Sequence, residues 1–87
     1  MKQLTPITIG GYTINVTIKP ERNDNASILF TATCNGMTAK SRLDPQGKAD
    51  HSEDQFQKDI QERANLLAEE LAGKLRAKDL RDKIFSS

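Results

Sequence analysis

Ile28-Leu-Phe-Thr-Ala-Thr-Cys-Asn-Gly-Met-Thr-Ala-Lys-Ser-Arg-Leu43 reads as a β-hairpin whose register follows from its turn. Asn35-Gly36 supplies the two consecutive positive-φ positions that a tight two-residue turn requires. Counting outward pairs Cys34 with Met37, Ala32 with Ala39, Phe30 with Ser41 and Ile28 with Leu43 on one face. The other face pairs Thr33 with Thr38, Thr31 with Lys40 and Leu29 with Arg42. The first face is almost wholly apolar and the second mostly polar. A slip of one residue would scramble both. Turn chemistry and side-chain alternation specify the same pairing.

Upstream, residues 4–19 alternate in the same way. Ile7, Ile9, Tyr12, Ile14, Val16 and Ile18 are apolar, and Thr8, Thr13, Asn15, Thr17 and Lys19 are polar. A two-residue turn at Gly10-Gly11 places Ile9 opposite Tyr12 and Ile7 opposite Ile14, with all six apolar side chains on one face. Pro6 suits an outer strand, where a missing N–H costs nothing. Pro20-Glu-Arg-Asn-Asp-Asn25 is a polar loop of turn formers. Residues 4–43 are therefore expected to form a four-stranded antiparallel meander of two hairpins.

Downstream, 44–51 reads as a linker that opens with the turn formers Asp44-Pro45-Gln46-Gly47. A helical region over 52–85 follows, with two competing starts: Asp50 with Glu53, or Ser52 with Gln55, each completes a capping box. Phe56, Ile60, Ala64, Leu67, Leu71 and Leu75 recur at spacings of three and four, one stripe of an amphipathic helix. Acidic residues crowd its start and basic ones its end, as the helix dipole favours. The class is α+β, a sheet covered on one face by a long C-terminal helix. Its length creates a mismatch. Residues 53–84 as one helix would run ~48 Å at ~1.5 Å per residue, whereas strands of about eight residues span ~27 Å. The sheet is expected to cover roughly the first half. Beyond about Gly73 the helix must overhang, dimerise, or break between 73 and 79. In the broken form Asp79 with Asp82 would cap a second helix carrying Leu80, Ile84 and Phe85.

The 87 residues suit one domain, 1–87. Hydrophobic residues make up 36% of the chain, with no Trp, one Tyr and three Phe. So small a core gains from a neighbour, so a homodimer or a tight partner is expected. Thirteen basic against 12 acidic residues leave a net charge of +1, which excludes the broad basic excess of a non-specific nucleic-acid binder. The single cysteine, Cys34, permits no intrachain disulfide and suits a reducing compartment. No apolar run approaches the ~20 residues of a membrane span, and Gly10-Gly11 interrupts any signal-peptide pattern. A cytoplasmic protein without a membrane partner is the expectation.

Catalytic chemistry has little to draw on. His51 is the sole histidine, and a trio with Cys34 and Asp50 would need Cys34 to leave the inward face of its hairpin. One Cys and one His are too few for a zinc site. Asn23-Asp-Asn25 lacks the ordered spacing of a calcium loop, and no glycine-rich loop opens onto the helix to cradle phosphate. No metal, cofactor or catalytic residue is expected. Nucleic acid is the alternative partner. The outward sheet face offers Lys19, Lys40 and Arg42 among threonines, and the helix end adds Lys74, Arg76, Lys78 and Arg81. That face has no aromatic platform for stacking bases.

The compact meander with its Asn-Gly hairpin, Ala32-Thr-Cys-Asn-Gly-Met-Thr-Ala39, followed by the acidic helix start Ser52-Glu-Asp-Gln-Phe56, resembles in layout small phage-encoded inhibitors, including anti-CRISPR proteins. The resemblance implies a protein that blocks a bacterial defence complex by occupying a surface, with no chemistry of its own. Together with the surplus helix it points to a non-enzymatic protein-binding module. Its expected partner-binding residues are Lys74, Arg76, Lys78, Leu80, Arg81, Ile84 and Phe85.

Overall fold

Both glycine-containing turns form as their sequences require. Asn35 and Gly36 adopt φ of 51° and 80°, and Gly10 and Gly11 adopt 56° and 88°. This left-handed region is open to glycine and tolerated by asparagine. The computed structural model describes residues 2–20, 27–43 and 53–86. In chain order these form β1 (Lys2–Gln3), β2 (Ile7–Ile9), β3 (Tyr12–Pro20), β4 (Ile28–Cys34), β5 (Met37–Leu43) and the helix α1 (Glu53–Phe85). The strands make one antiparallel sheet in the order β1-β3-β4-β5, with β2 also paired to β3. The architecture is α+β, a sheet packed against one long C-terminal helix.

The β4–β5 register runs from Ile28 opposite Leu43 to Cys34 opposite Met37, as the Asn-Gly turn demands. Ile7 lies opposite Ile14 and Ile9 opposite Tyr12. The outermost strand departs from the four-strand expectation. It begins at Lys2 rather than residue 4 and is split in two. Gln3 opposes Thr17 while Ile7 opposes Ile14, so Leu4, Thr5 and Pro6 face only Asn15 and Val16. This is a β-bulge, one extra residue on the outer strand. The physical reason lies in the spacing of Leu4 and Ile7. Three residues apart, they cannot share a face of a strand with period two. The extra residue turns Leu4 inward, where it packs against the core, and the Leu4 N–H still donates to the Val16 carbonyl at 2.9 Å. Pro6 sits in the bulge, where a missing donor does no harm.

One core joins sheet and helix. Ile14, Val16, Phe30 and Ala32 from β3 and β4 meet Ala64, Leu67, Ala68 and Leu71 of α1, all buried. Alanines at 32, 64 and 68 let the helix approach the strands while Phe30 and Leu71 fill the space between. Cys34 is buried at the end of β4, a small apolar side chain on the inward face. The helix enters beside Leu43, which shares a shallow cavity with Asp59 and Leu66. It leaves across the other end of the sheet, where Tyr12 meets Asp79.

The helix is continuous from Glu53 to Phe85, which corrects the break expected between 73 and 79. An exposed glycine inside a helix costs only about 1 kcal/mol relative to alanine, too little to end a helix of this length. Asp79 does not cap a second helix, because its carboxylate instead accepts a hydrogen bond from Tyr12. The covered stretch is also displaced from the expected first half. The buried stripe runs from Ile60 to Leu75, a rise of ~23 Å that matches the strands in length. The helix therefore continues beyond its buried stripe in both directions, with Phe56 still packed against the core, and the overall dimensions are 55 × 25 × 20 Å. The linker 44–51, both capping-box alternatives, His51, Asp50 and Asn23-Asp-Asn25 lie outside the described residues.

Candidate functional site

Beyond Leu75 no helix residue is buried, and the exposed side chains divide by geometry into two stripes. With ~3.6 residues per turn, Lys74, Lys78, Arg81 and Phe85 stack along one line at i, i+4, i+7 and i+11. Gly73, Ala77, Leu80 and Ile84 stack along the neighbouring line. All of these residues are exposed.

The first stripe borders a groove. Met37, at the start of edge strand β5, and Ala77 contribute apolar surface, and Lys74, Lys78 and Arg81 complete the wall. The groove holds about 440 Å³ and is open to solvent. Phe85 follows one turn beyond Arg81, with 81% of its surface exposed. The result is an apolar strip with a cationic rim. Aliphatic stems of lysine and arginine cover such a strip while their charges stay in water. Lys74 reaches Glu70 at 3.7 Å on the exposed surface, and Arg81 lies 3.7 Å from Asp82. Both pairs are more than half exposed, so they hold their side chains only weakly.

On the other flank of the helix, the Tyr12 hydroxyl donates a hydrogen bond to Asp79 Oδ2. This bond raises the tyrosine pKa above its ordinary value. Partial burial and the negative charge of Asp79 act in the same direction, while Arg76 opposes them. Tyr12 immediately follows the Gly10-Gly11 turn, so the bond ties the first hairpin to the last helical turn near the sheet. The sequence gives no direct signal for it, because the two residues are 67 positions apart.

The structure thus brings Lys74, Lys78, Arg81 and Phe85 together and sets Leu80 and Ile84 on the adjoining stripe. Arg76 is near enough to the Tyr12–Asp79 pair for its charge to act on the tyrosine hydroxyl. Met37 and Ala77 complete the groove and were absent from the expected set. Met37 could have been found from its place at the start of an edge strand, next to the Asn-Gly turn.

Lys19, Lys40 and Arg42 lie on the sheet's opposite face. The pairing sets Lys19 beside Leu29 and Leu29 beside Arg42, with Thr17, Thr31 and Lys40 in the next row. Residues 2–20 and 27–43 contain no Asp or Glu, so the strands carry Lys2, Lys19, Lys40 and Arg42 without a carboxylate among them. This patch does not join the cations of the helix end, because the sheet separates them. Among the described residues no three His, Cys, Asp or Glu side chains gather as metal ligands, and no helix is long and apolar enough to cross a membrane. No protein-family model, no curated protein and no solved structure matches the chain.

Proposed function

We propose that this chain is a non-enzymatic protein-binding module that acts in the cytoplasm and docks a partner through the groove at its helix end. The observation that carries the reading is the coincidence of Phe85, 81% exposed, with three cations bordering the Met37 groove. An apolar anchor on a rigid helix, ringed by charges of one sign, suits a partner with an acidic surface and an apolar pocket. The layout resemblance to phage-encoded inhibitors suggests the partner's class, a bacterial defence complex that such a module would obstruct by occupying one of its surfaces.

Affinity capture from a bacterial host extract tests this reading. The full chain should retain a partner that is lost by Lys78→Glu/Arg81→Glu and by a chain ending at Leu75. That shortened chain keeps every buried residue of the helix stripe and should remain folded by circular dichroism. Capture that survives in both variants would refute the groove.

A second reading rests on the carboxylate-free sheet face. Lys19, Lys40 and Arg42 among threonines would contact the phosphates of a nucleic acid. It requires a mobility shift that weakens with salt and with Lys40→Gln/Arg42→Gln. Absence of any shift at low salt would end it.

A further inference from the structure

The stripe beside the groove has its own geometry. Leu66, Gly73 and Leu80 recur at intervals of seven, and Ala77 and Ile84 sit four residues beyond Gly73 and Leu80. These positions lie about half a helical turn away from the buried stripe of Ile60, Ala64, Leu67, Leu71 and Leu75, so the line runs on the far side of the helix from the core, with Leu66 bordering Leu43 and Ala77 bordering Met37 at the β5 edge. Leu66 is 54% exposed, Leu80 52% and Ile84 70%. A surface helix needs one apolar stripe to cover its own sheet. This one has two.

Gly73 stands at the centre of the second stripe. It is exposed, and a Cβ built there meets nothing within 4 Å. The chain itself therefore has no steric need for glycine at this position, which an alanine would favour as helix. A close-crossing second helix does need it, since a small residue lets two backbones approach.

Charge identifies the occupant. Residues 53–70 carry six carboxylates and two cations, and residues 74–83 carry five cations and two carboxylates. The helix dipole accounts for such a bias only within the first and last turns. Glu62, Glu69, Glu70, Lys74 and Arg76 lie well inside those limits. A helix that is acidic in one half and basic in the other is complementary to its own copy in reverse.

We propose that a second copy of this chain docks on this stripe, with the two helices antiparallel and crossing at Gly73. The proposal does not rest on the groove, whose cations Lys74, Lys78 and Arg81 lie on the neighbouring stripe, although the two surfaces share Ala77. Crossing at Gly73 sets Leu66 against Leu80 of the second copy and Glu69 opposite Arg76 of the second copy, on the same flank of the seam, each contact occurring twice by symmetry. Residues 61–85 of both helices overlap over ~37 Å. The helices lie at the centre with a sheet on either outer side.

Sedimentation equilibrium of the full chain tests the arrangement. The wild-type chain should form a dimer. Glu69→Lys and Arg76→Glu should each weaken it by about tenfold or more, since each creates two like-charge contacts. An equimolar mixture of the two variants should restore dimer, because each Lys introduced at 69 then meets a Glu introduced at 76. Within one helix the two positions are two turns apart, about 10 Å along the axis, so rescue on mixing reports contact between copies. Gly73→Leu should abolish the dimer while leaving the circular dichroism spectrum of the monomer unchanged. A wild-type chain that stays monomeric, a mixture that fails to recover, or a Gly73→Leu chain that still dimerises overturns the arrangement. A monomer that still captures a partner through Lys78 and Arg81 overturns the dimer and leaves the groove reading standing.

Discussion

The stretches 60–75 and 76–85 belong to one helix and carry the same kinds of residue, yet they differ in everything that packing supplies. In the first, leucines and alanines at spacings of three and four sit under the sheet and are buried. In the second, Leu80, Ile84 and Phe85 are at least half exposed, and the backbone remains helical although the sheet touches it only at its start, through Tyr12 and Met37. Helix continuity is therefore a property of the backbone and its neighbouring turns, whereas burial ends where the strands end. The comparison separates residues that hold the fold together from residues available to a partner.

Four measurements sharpen or break this division, beginning with the largest effect. Leu71→Ala should cost ~2–5 kcal/mol in urea unfolding, as a large buried side chain replaced by a methyl leaves a cavity. A loss below ~1 kcal/mol, the range of surface changes, would show that the covered stretch is not the core it appears as in the buried stripe. Gly73→Ala, at the border between the stretches, should stabilise the monomer by about 1 kcal/mol in a thermal melt at low concentration. Destabilisation there would mean that the glycine serves the monomer after all. Leu80→Ala should change stability by no more than ~0.5 kcal/mol, and a larger loss would place Leu80 with the core.

The fourth concerns the Tyr12–Asp79 tie between the stretches. Tyr12 is the only tyrosine and the chain has no tryptophan, so tyrosinate absorbance reports this side chain alone. Its titration midpoint should lie above ~10, the ordinary value, and should fall in Asp79→Asn. A raised folded-state pKa means that the folded chain holds the proton more tightly than the unfolded chain. The contribution of this bond to stability is then fully present below the unfolded pKa and is lost as pH rises through the folded one. A midpoint unchanged by Asp79→Asn would break the tie.

Much of the fold was legible in the residues themselves. Asn35-Gly36 and Gly10-Gly11 dictated both registers because a two-residue turn leaves no freedom in the count. The exposed helix end was legible too, from the mismatch between the rise of a helix and the length of a strand. Three features needed the structure. The bulge at Leu4, Thr5 and Pro6 was signalled only by an odd spacing between two apolar residues. The displacement of the covered stretch toward Leu75 depends on where along the sheet the helix seats, which periodicity does not state. The groove combines Met37 with residues of α1, and a pairing between distant segments follows from that seating. Asp79 shows how a local pattern misleads. Together with Asp82 it matches a cap, but in the fold its carboxylate serves the Tyr12 hydroxyl.

The strands without a carboxylate have a consequence for the response to acid. Protonation removes negative charge from Asp and Glu and leaves Lys and Arg as they are. The described strands then keep the same four cations, whereas the eight carboxylates of the helix progressively stop offsetting its seven cations. Residues 74–83, with five cations, become the most positive stretch, whereas 53–70 keep only two, so repulsion builds at the C-terminal end of the helix, beyond its buried stripe. Acid should accordingly loosen this molecule from the C-terminal end of the helix inward, with the hairpins the last part to change.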